Sequence, residues 1–200
     1  MHSIELSPKY YRSPNVPSGF MAEVAKQHLK VTSHQFYIGE IAPNVMNKIG
    51  GDIDFAILDT IHQLPGEILD FLVILPFLTP DAVICMHDVS EHQIHDPMSF
   101  ANSTLLCSVD ADKIFNLVPK SNVYDVKYPN IGAFQLTPTT RKNIISVMLS
   151  LVLPWGYLPL AAQLNAYSAA IHQNYDNDVC QIYDEAVKIN LYKLLTRFYK

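Results

Sequence analysis

The sequence has little charge and no excess of basic residues. Only 16% of its 200 residues are charged, and the formal net charge is −5. Proteins that bind nucleic acid present a clustered basic surface, so we expect no nucleic-acid partner. The hydrophobic fraction of 49% is large enough to form a core, and it argues against disorder.

Cysteine is also scarce. The three cysteines, Cys85, Cys107 and Cys180, are far apart and form neither a CxxC pair nor a disulfide framework. This usage favours a reducing, cytoplasmic environment. No secretory leader stands at residues 1–20, which are polar and rich in proline. The apolar run Ile144–Leu153 is shorter than the ~20 residues that a membrane span needs, so no span is expected.

Two glycine-containing motifs that identify common enzyme classes are missing. The sequence contains no GxSxG, the turn that carries the nucleophile of many serine hydrolases, and no GxxxxGK[ST] phosphate-binding loop. Serine-centred hydrolysis and P-loop nucleotide hydrolysis therefore have no support.

Strand and helix patterns alternate along the first two thirds of the chain, which predicts an α/β fold with a mainly parallel sheet and helices on both faces. The apolar run Ile53–Leu58 is typical of a strand buried on both faces. We predict strands at His2–Leu6, Gln35–Gly39, Ile53–Leu58, Ala82–Met86, Val123–Val126 and Ile131–Leu136. We predict helices at Phe20–Lys30, Pro43–Ile49, 65–75, Phe100–Leu117, Arg141–Leu153, Leu160–Asn174 and Val179–Tyr199.

Polar side chains follow several of these strands where each one ends. Asp59 and His62 lie in the pattern DTIH after one apolar strand, and His87-Asp88 ends the next. Right-handed crossovers place the carboxyl ends of parallel strands at one edge of the sheet, where such folds bind ligands. Asp59 and Asp88 could therefore share a divalent cation such as Mg²⁺. His62 could serve as a general base.

Each of these residues also has a plainer interpretation. Asp59 could cap the following loop or helix, and His87 could pack within the sheet. Glu5, at the end of the first predicted strand, could be a surface acid or could hold ribose hydroxyls, as acids do at this position in nucleotide-binding sheets. The convergence of several polar groups on one edge favours a site.

The segment IDFAILDTIHQLPGEILDFLVILPFLTPDAVICMHDV resembles the second half of class I S-adenosylmethionine-dependent methyltransferases. It is most similar to the branch with D-x-x-H after strand four and an acidic or His-Asp pair after strand five. That branch contains Mg²⁺-dependent sugar O-methyltransferases and cephalosporin-hydroxylase-like proteins. HSIELSPKYY and FYIGEIAP resemble the ends of the family's strands two and three. The resemblance covers residues 2–136.

The resemblance implies a role for each matching residue. It implies that Asp59, His87 and Asp88 bind the metal, with His87 standing where the family often has a second acid, and that His62 takes the acceptor's proton. Glu5 would bind the ribose of S-adenosylmethionine, and the further residues that would contact this cofactor are Gly39, Glu40, Ile41 and Asp59. The implied reaction is methylation of a hydroxyl on a small molecule or sugar. The implied organisation is a Rossmann-like domain at 1–138, shortened at its N-terminus, and a helical C-terminal extension at 139–200.

One part of the family pattern has no counterpart. The family's glycine-rich loop follows strand one, whereas this chain contains no GxGxG and begins at the segment resembling strand two. A second hypothesis is therefore a catalytically inactive methyltransferase-like fold that acts as an interaction module. It would form a homo-oligomer through the apolar C-terminal helices. A third is a different nucleotide- or sugar-binding α/β protein.

Overall fold

The computed structural model of the chain describes residues 1–10, 12–28, 33–117 and 130–197. These residues form two compact units, 1–50 and 51–200, and each unit is described by itself. Both contain helices and strands, so the predicted α/β class is confirmed.

The first unit is built on two short parallel strands. Strand β1 (His2–Glu5) pairs with β2 (Gln35–Ile38), in a register that sets Glu5 opposite Ile38. Helix α1 (Phe20–His28) lies between them in the chain, and α2 (Ala42–Ile49) follows β2. Val45 and Met46 provide the buried face of α2. The helix ends before Gly50, which has the positive φ of 85° that glycine adopts without steric cost.

The second unit contains a mixed four-stranded sheet. Its strands are β3 (Ile53–Leu58), β4 (Leu78–Met86), β5 (Asp112–Leu117) and β6 (Ile131–Gln135), and their spatial order is β3-β4-β6-β5. Strands β3 and β4 are parallel, whereas β6 runs antiparallel to both β4 and β5. The sheet is therefore parallel only at the edge that β3 forms.

Helix α3 (Gly66–Ile74) is the centre of the core. Its predicted apolar stripe is confirmed, because Ile68, Phe71 and Leu72 are fully buried. Phe71 packs edge-on against Phe134 of β6, with ring centroids 5.5 Å apart. The helix is apolar almost all round, as expected of a helix covered on several sides.

The remaining helices of the second unit are α4 (Glu91–Ile94), α5 (Ala101–Ser108), α6 (Ile145–Ser150), α7 (Ala161–Asn174) and α8 (Asn177–Arg197). Hydrogen bonds tie the last of them to the rest of the unit. Tyr175, between α7 and α8, donates to the carbonyl of Leu72 at 2.6 Å. The fully buried Trp155 donates its backbone N–H to Asn190 of α8 at 3.1 Å.

Two sequence predictions about this unit are wrong. Strand β3 is not buried on both faces, because the side chains of Phe55 and Ile57, which are two residues apart and so lie on one face, are exposed. The predicted helix Phe100–Leu117 ends at Ser108, and Asp112–Leu117 is a strand instead. Val109 is already extended, and the Ile-Phe pair that follows it has strand propensity.

Other boundaries differ by less. The predicted helix Arg141–Leu153 is helical only over Ile145–Ser150, and β4 begins at Leu78, four residues before the predicted start. The predicted strand Val123–Val126 lies outside the described residues. Within the described ranges, no helix is both long and apolar enough to cross a membrane.

Candidate metal centre

Neighbouring parallel strands bring the predicted site residues of the second unit together. Asp59 directly follows β3, and His87 and Asp88 directly follow β4. The register pairs Leu58 with Met86, and the His87 N–H donates to the Leu58 carbonyl at 3.2 Å. The two strand ends are therefore level, which is why side chains distant in the sequence meet here.

Two carboxylate oxygens lie between two imidazole rings. Asp59 Oδ1 is 3.6 Å from His62 Nε2 and 3.4 Å from His87 Nδ1. Asp88 Oδ2 is 3.3 Å from His62 Nε2 and 3.0 Å from His87 Nδ1. The four atoms thus form a closed ring in which nitrogen and oxygen alternate. We call this set of four side chains the Asp-His ring.

Three members of the Asp-His ring, Asp59, His62 and Asp88, have the spacing of ligands around one metal ion. Bonds of about 2.0–2.2 Å in tetrahedral or octahedral geometry place neighbouring ligand atoms ~3.0–3.5 Å apart. Ligand atoms of Asp59, His62 and Asp88 all lie within 4.8 Å of one another. His87 Nδ1 is buried and has no hydrogen-bond partner among the described residues, although two carboxylates are adjacent.

The backbone at this site is held in an uncommon conformation. His62 and Asp88 have positive φ values of 61° and 54°, in the left-handed region that residues other than glycine seldom occupy. Such conformations cluster at functional sites because the surrounding structure must hold them in place. Here the His62 backbone N–H donates to the Glu67 carboxylate at 2.7 Å, and the His62 carbonyl accepts from the Ala101 N–H at 2.9 Å.

Glu67, in the first turn of α3, lies directly behind His62. Its side chain is fully buried, and its Oε1 is 3.1 Å from His62 Nδ1. The other oxygen, Oε2, is buried without a hydrogen-bond partner among the described residues. At the sequence level this acid is expected only to complement the helix dipole. Nothing in the pattern PGEILD indicated that it contacts the histidine.

Three further polar residues surround the Asp-His ring, and the sequence did not single them out either. Asn102 of α5, fully buried, donates to the His87 carbonyl at 2.6 Å, and its amide nitrogen lies 3.1 Å from His62 Nδ1. Asn130 donates to Asp88 Oδ1. Glu91, in α4, places Oε2 3.7 Å from His62 Nε2. That oxygen is buried and has no hydrogen-bond partner in the described part of the chain.

The surrounding carboxylates change the protonation of His62. The hydrogen bond with Glu67 raises the His62 pKa above its ordinary value, and the negative charges of Glu67, Glu91 and Asp88 act in the same direction. Burial of the ring opposes this shift. The site therefore favours positive charge on or beside His62, which a proton or a metal cation can supply.

The predicted cofactor-binding residues of the first unit also meet at strand ends. The Gly39 N–H donates to the Glu5 carbonyl at 2.7 Å, where β1 and β2 end together. Gly39 has a φ of 79°, and a Cβ added there would contact nothing within 4 Å. Glu40 accepts a hydrogen bond from Asn44 at 2.9 Å, and Ile41 is the residue before α2. The structure places these four residues together at one edge of the small sheet.

Compared with protein-family models, with curated proteins and with solved structures, the chain matches none of them.

Proposed function

We propose that the Asp-His ring binds a divalent metal ion and uses it to activate a hydroxyl group. One observation carries this proposal: two carboxylates and two imidazoles, each from the end of a parallel strand or the loop after it, face one another at 3.0–3.6 Å. A single surface Asp-His pair needs no metal, whereas here each of two carboxylates lies near two imidazoles, as ligands around a shared ion would.

The donor atoms bear on which metal is bound. Mg²⁺ is the ion expected from the family resemblance, and it prefers oxygen ligands. Two imidazole nitrogens beside two carboxylate oxygens suit Zn²⁺, for which imidazole is a good ligand, and Mn²⁺, which binds carboxylates and accepts nitrogen ligands more readily than Mg²⁺ does. We therefore propose Mn²⁺ or Zn²⁺ ahead of Mg²⁺ for this chain.

The proposed reaction is transfer of a methyl group from S-adenosylmethionine to a hydroxyl on a small molecule or sugar. For the fold, we propose a Rossmann-like arrangement that the C-terminal helices extend. Support comes from the motif D-x-x-H after β3 and from His-Asp after β4. Further support comes from Glu5 and Gly39 at the ends of β1 and β2, where a nucleoside is bound in folds of this kind.

Each residue then has a chemical role. Asp59, Asp88 and the two histidines would hold the metal, which would supply a Lewis acid able to lower the pKa of a bound hydroxyl. The resemblance makes His62 the proton acceptor, but its Nε2 faces the same oxygens as His87 and serves as a ligand when metal is bound. Glu91, with its buried and unpartnered Oε2 3.7 Å from that nitrogen, is then the carboxylate that accepts the proton.

Calorimetric titration of the protein with Mn²⁺, Zn²⁺ and Mg²⁺, followed by S-adenosylmethionine, tests both parts separately. We expect one metal ion per chain, with Mn²⁺ or Zn²⁺ bound more tightly than Mg²⁺, and then heat on adding the methyl donor. Metal binding without donor binding would retain the metal centre and reject methyl transfer. Absence of metal binding to folded protein would reject the metal centre.

A second candidate function is an interaction module, and exposed apolar side chains favour it. Ile145 and Leu149, one helical turn apart on α6, are 44% and 51% exposed, and Leu160 is 71% exposed. Isolated exposed apolar residues are ordinary, but neighbouring ones on a single face often mark an interface. In this alternative the apolar C-terminal region binds a second copy of the chain.

Sedimentation analysis of Leu149→Asp tests this second candidate. If α6 forms a self-association surface, the unmodified chain sediments as an oligomer at micromolar concentration. The aspartate variant then sediments as a monomer, because burying an unpaired charge at the interface is costly. Ser146→Asp, at an exposed polar position on the same helix, is the matched control for added charge. A monomeric unmodified chain would contradict the module hypothesis.

A further inference from the structure

Glu67 contacts both the backbone and the ring of His62, and neither the D-x-x-H motif nor the proposed methyl transfer requires these contacts. The carboxylate is fully buried, and burying an acid without compensation is unfavourable. Its Oε1 accepts the His62 backbone N–H at 2.7 Å and lies 3.1 Å from the His62 ring at Nδ1. One carboxylate oxygen therefore contacts both the backbone and the ring of the same residue.

The two ring nitrogens of His62 face different surroundings. Nδ1 faces Glu67, while Nε2 faces Asp88, Asp59 and Glu91 at 3.3, 3.6 and 3.7 Å. A metal can bind only a ring nitrogen that carries no hydrogen. In metal sites the other nitrogen commonly donates its hydrogen to a carboxylate or a carbonyl, which fixes both the tautomer and the ring orientation.

We infer that Glu67 is the positioning residue for His62, accepting a hydrogen bond from Nδ1–H so that the Nε2 lone pair is directed at Asp59 and Asp88. The effect of this hydrogen bond on metal binding rests on the proposed metal site, but the hydrogen bond itself requires no metal.

Asn102 is the competing partner for the same nitrogen. Its amide nitrogen lies 3.1 Å from His62 Nδ1 and would require Nδ1 to be the acceptor. That amide carries two hydrogens, and one of them is donated to the His87 carbonyl at 2.6 Å. A hydrogen bond to a carboxylate is about twice as strong as one between neutral groups. The hydrogen therefore belongs on Nδ1, directed at Glu67, and Asn102 holds the His87 backbone.

The arrangement also explains why His62 has an uncommon backbone conformation. With a φ of 61°, the His62 N–H and ring both turn towards the start of α3, where Glu67 is located. Because one side chain fixes both groups, loss of the carboxylate affects the direction of the ring as well as its tautomer.

The first test is nitrogen NMR of the metal-free protein labelled at histidine. We expect the His62 ring to carry a hydrogen-bonded proton on Nδ1. Glu67→Gln preserves the size of the side chain but removes its charge, and we expect the Nδ1 proton signal to shift upfield and exchange faster with water. A bare Nδ1 with the hydrogen on Nε2 in the unmodified protein would overturn the inference, whether or not the variant folds.

The second test is Zn²⁺ affinity, measured by competition with a chelating dye. Removing a partner that orients a metal ligand costs ~10–100-fold in affinity, and we expect a loss of that size in Glu67→Gln. Asp70→Asn is the matched control, because it removes another acid of α3 that bonds to Tyr167 rather than to His62. Its Zn²⁺ affinity should stay within about twofold of the unmodified protein. Equal losses in both variants would overturn the specific role of Glu67.

The two tests distinguish failure of this inference from failure of the proposed function. If the Nδ1 proton is present and depends on Glu67 but no metal binds, the positioning role stands and the metal centre fails. If Zn²⁺ binds tightly but the His62 hydrogen is on Nε2, the positioning role fails and the metal centre must use other atoms.

Discussion

Asp88→Asn is expected to abolish metal binding while leaving the fold intact. The substitution removes the charge whose Oδ2 lies 3.0 Å from His87 and 3.3 Å from His62. Losing a ligand should weaken metal affinity by more than ~100-fold, which exceeds the effect of losing a residue that only orients one. Thermal unfolding with and without Mn²⁺ or Zn²⁺ provides the measurement.

The magnitude of the effect follows from mass action. A metal present at 100 times its dissociation constant stabilises the folded protein by about 2.7 kcal/mol. For a chain of this size that stabilisation raises the melting temperature by about 5–11 °C. At the same metal concentration the Asp88→Asn variant should gain at most about 0.4 kcal/mol, or about 1–2 °C, because its site would be at most half occupied.

Asparagine is a well-matched substitute at position 88. Asp88 has a φ of 54°, and asparagine tolerates this left-handed conformation as readily as aspartate does. Its amide oxygen can still accept the hydrogen bond from Asn130. The metal-free melting temperature should therefore be preserved or increase slightly, since one of several neighbouring negative charges is removed.

The control for this experiment is Asp184→Asn. Asp184 also pairs with a histidine, His172, at 3.0 Å, but the contact is a single exposed pair rather than part of a closed ring. Metal stabilisation should be the same in this control as in the unmodified protein. If Asp88→Asn were stabilised by metal as strongly as the control is, the Asp-His ring would not be the metal site.

The meeting of Asp59 with Asp88 could be predicted from the sequence because parallel strands fix it. An apolar strand, a helix and a second apolar strand imply a right-handed crossover, and the acids then lie at one edge. The motif D-x-x-H adds His62 through local geometry alone. In the structure β3 and β4 end level with each other, and this alignment is what the sequence-based prediction requires.

Glu67, Asn102 and Asn130 could not be found in this way. Glu67 lies on α3, Asn102 on α5 and Asn130 directly before β6, so their contacts with the site depend on how these elements pack around the two strand ends. An acid in the first turn of a helix or an amide in a polar stretch has many ordinary explanations. A signal that Glu67 is special exists only in its complete burial, which is a tertiary property.

The error at β3 has a similar origin. A nearly unbroken apolar run indicates that a strand can be buried on both faces, but not that neighbouring elements are present to cover those faces. Phe55 and Ile57 lie on one face of β3 and are exposed, so that face is not covered. The apolar spacing within Phe100–Leu117 is compatible with both the helical and the strand period. It therefore does not show that a short helix ends at Ser108 and that a strand follows at Asp112–Leu117.

Asp70→Asn is expected to stabilise the protein at neutral pH. Asp70, on α3, accepts a hydrogen bond from the Tyr167 hydroxyl at 2.6 Å. Burial raises the pKa of this carboxyl from 3.8 to about 6, and although the Tyr167 hydrogen bond opposes the shift, the charge of Glu67 adds to it. The ionised form is therefore unfavourable in the folded protein.

The direction of the pH dependence follows from linkage. A group whose pKa is raised on folding stabilises the protein fully below its unfolded pKa, here 3.8. That stability is lost as the pH rises through the folded pKa of about 6. A shift of this size corresponds to up to about 3 kcal/mol. Asparagine does not ionise, so the variant does not lose this stability.

The measurement is the difference in unfolding free energy between Asp70→Asn and the unmodified chain, determined by urea denaturation across the pH range. The difference should grow in favour of the variant from about pH 4 to about pH 7 and then stay constant. Comparing the two proteins at each pH cancels the titration of groups they share. A difference that does not change with pH, or a variant that is less stable at neutral pH, would show that Asp70 is not held in an unfavourable ionised state.

Tyr167→Phe provides a second comparison for the same carboxyl. The Tyr167 hydroxyl favours the ionised form of Asp70, so removing it should raise the Asp70 pKa further. In the phenylalanine background, Asp70→Asn should therefore stabilise the protein more at neutral pH than it does in the unmodified chain. Equal gains in the two backgrounds would mean that the 2.6 Å hydrogen bond contributes nothing to the charge state of Asp70. Because the side chains are in direct contact, a non-additive result is the expected one.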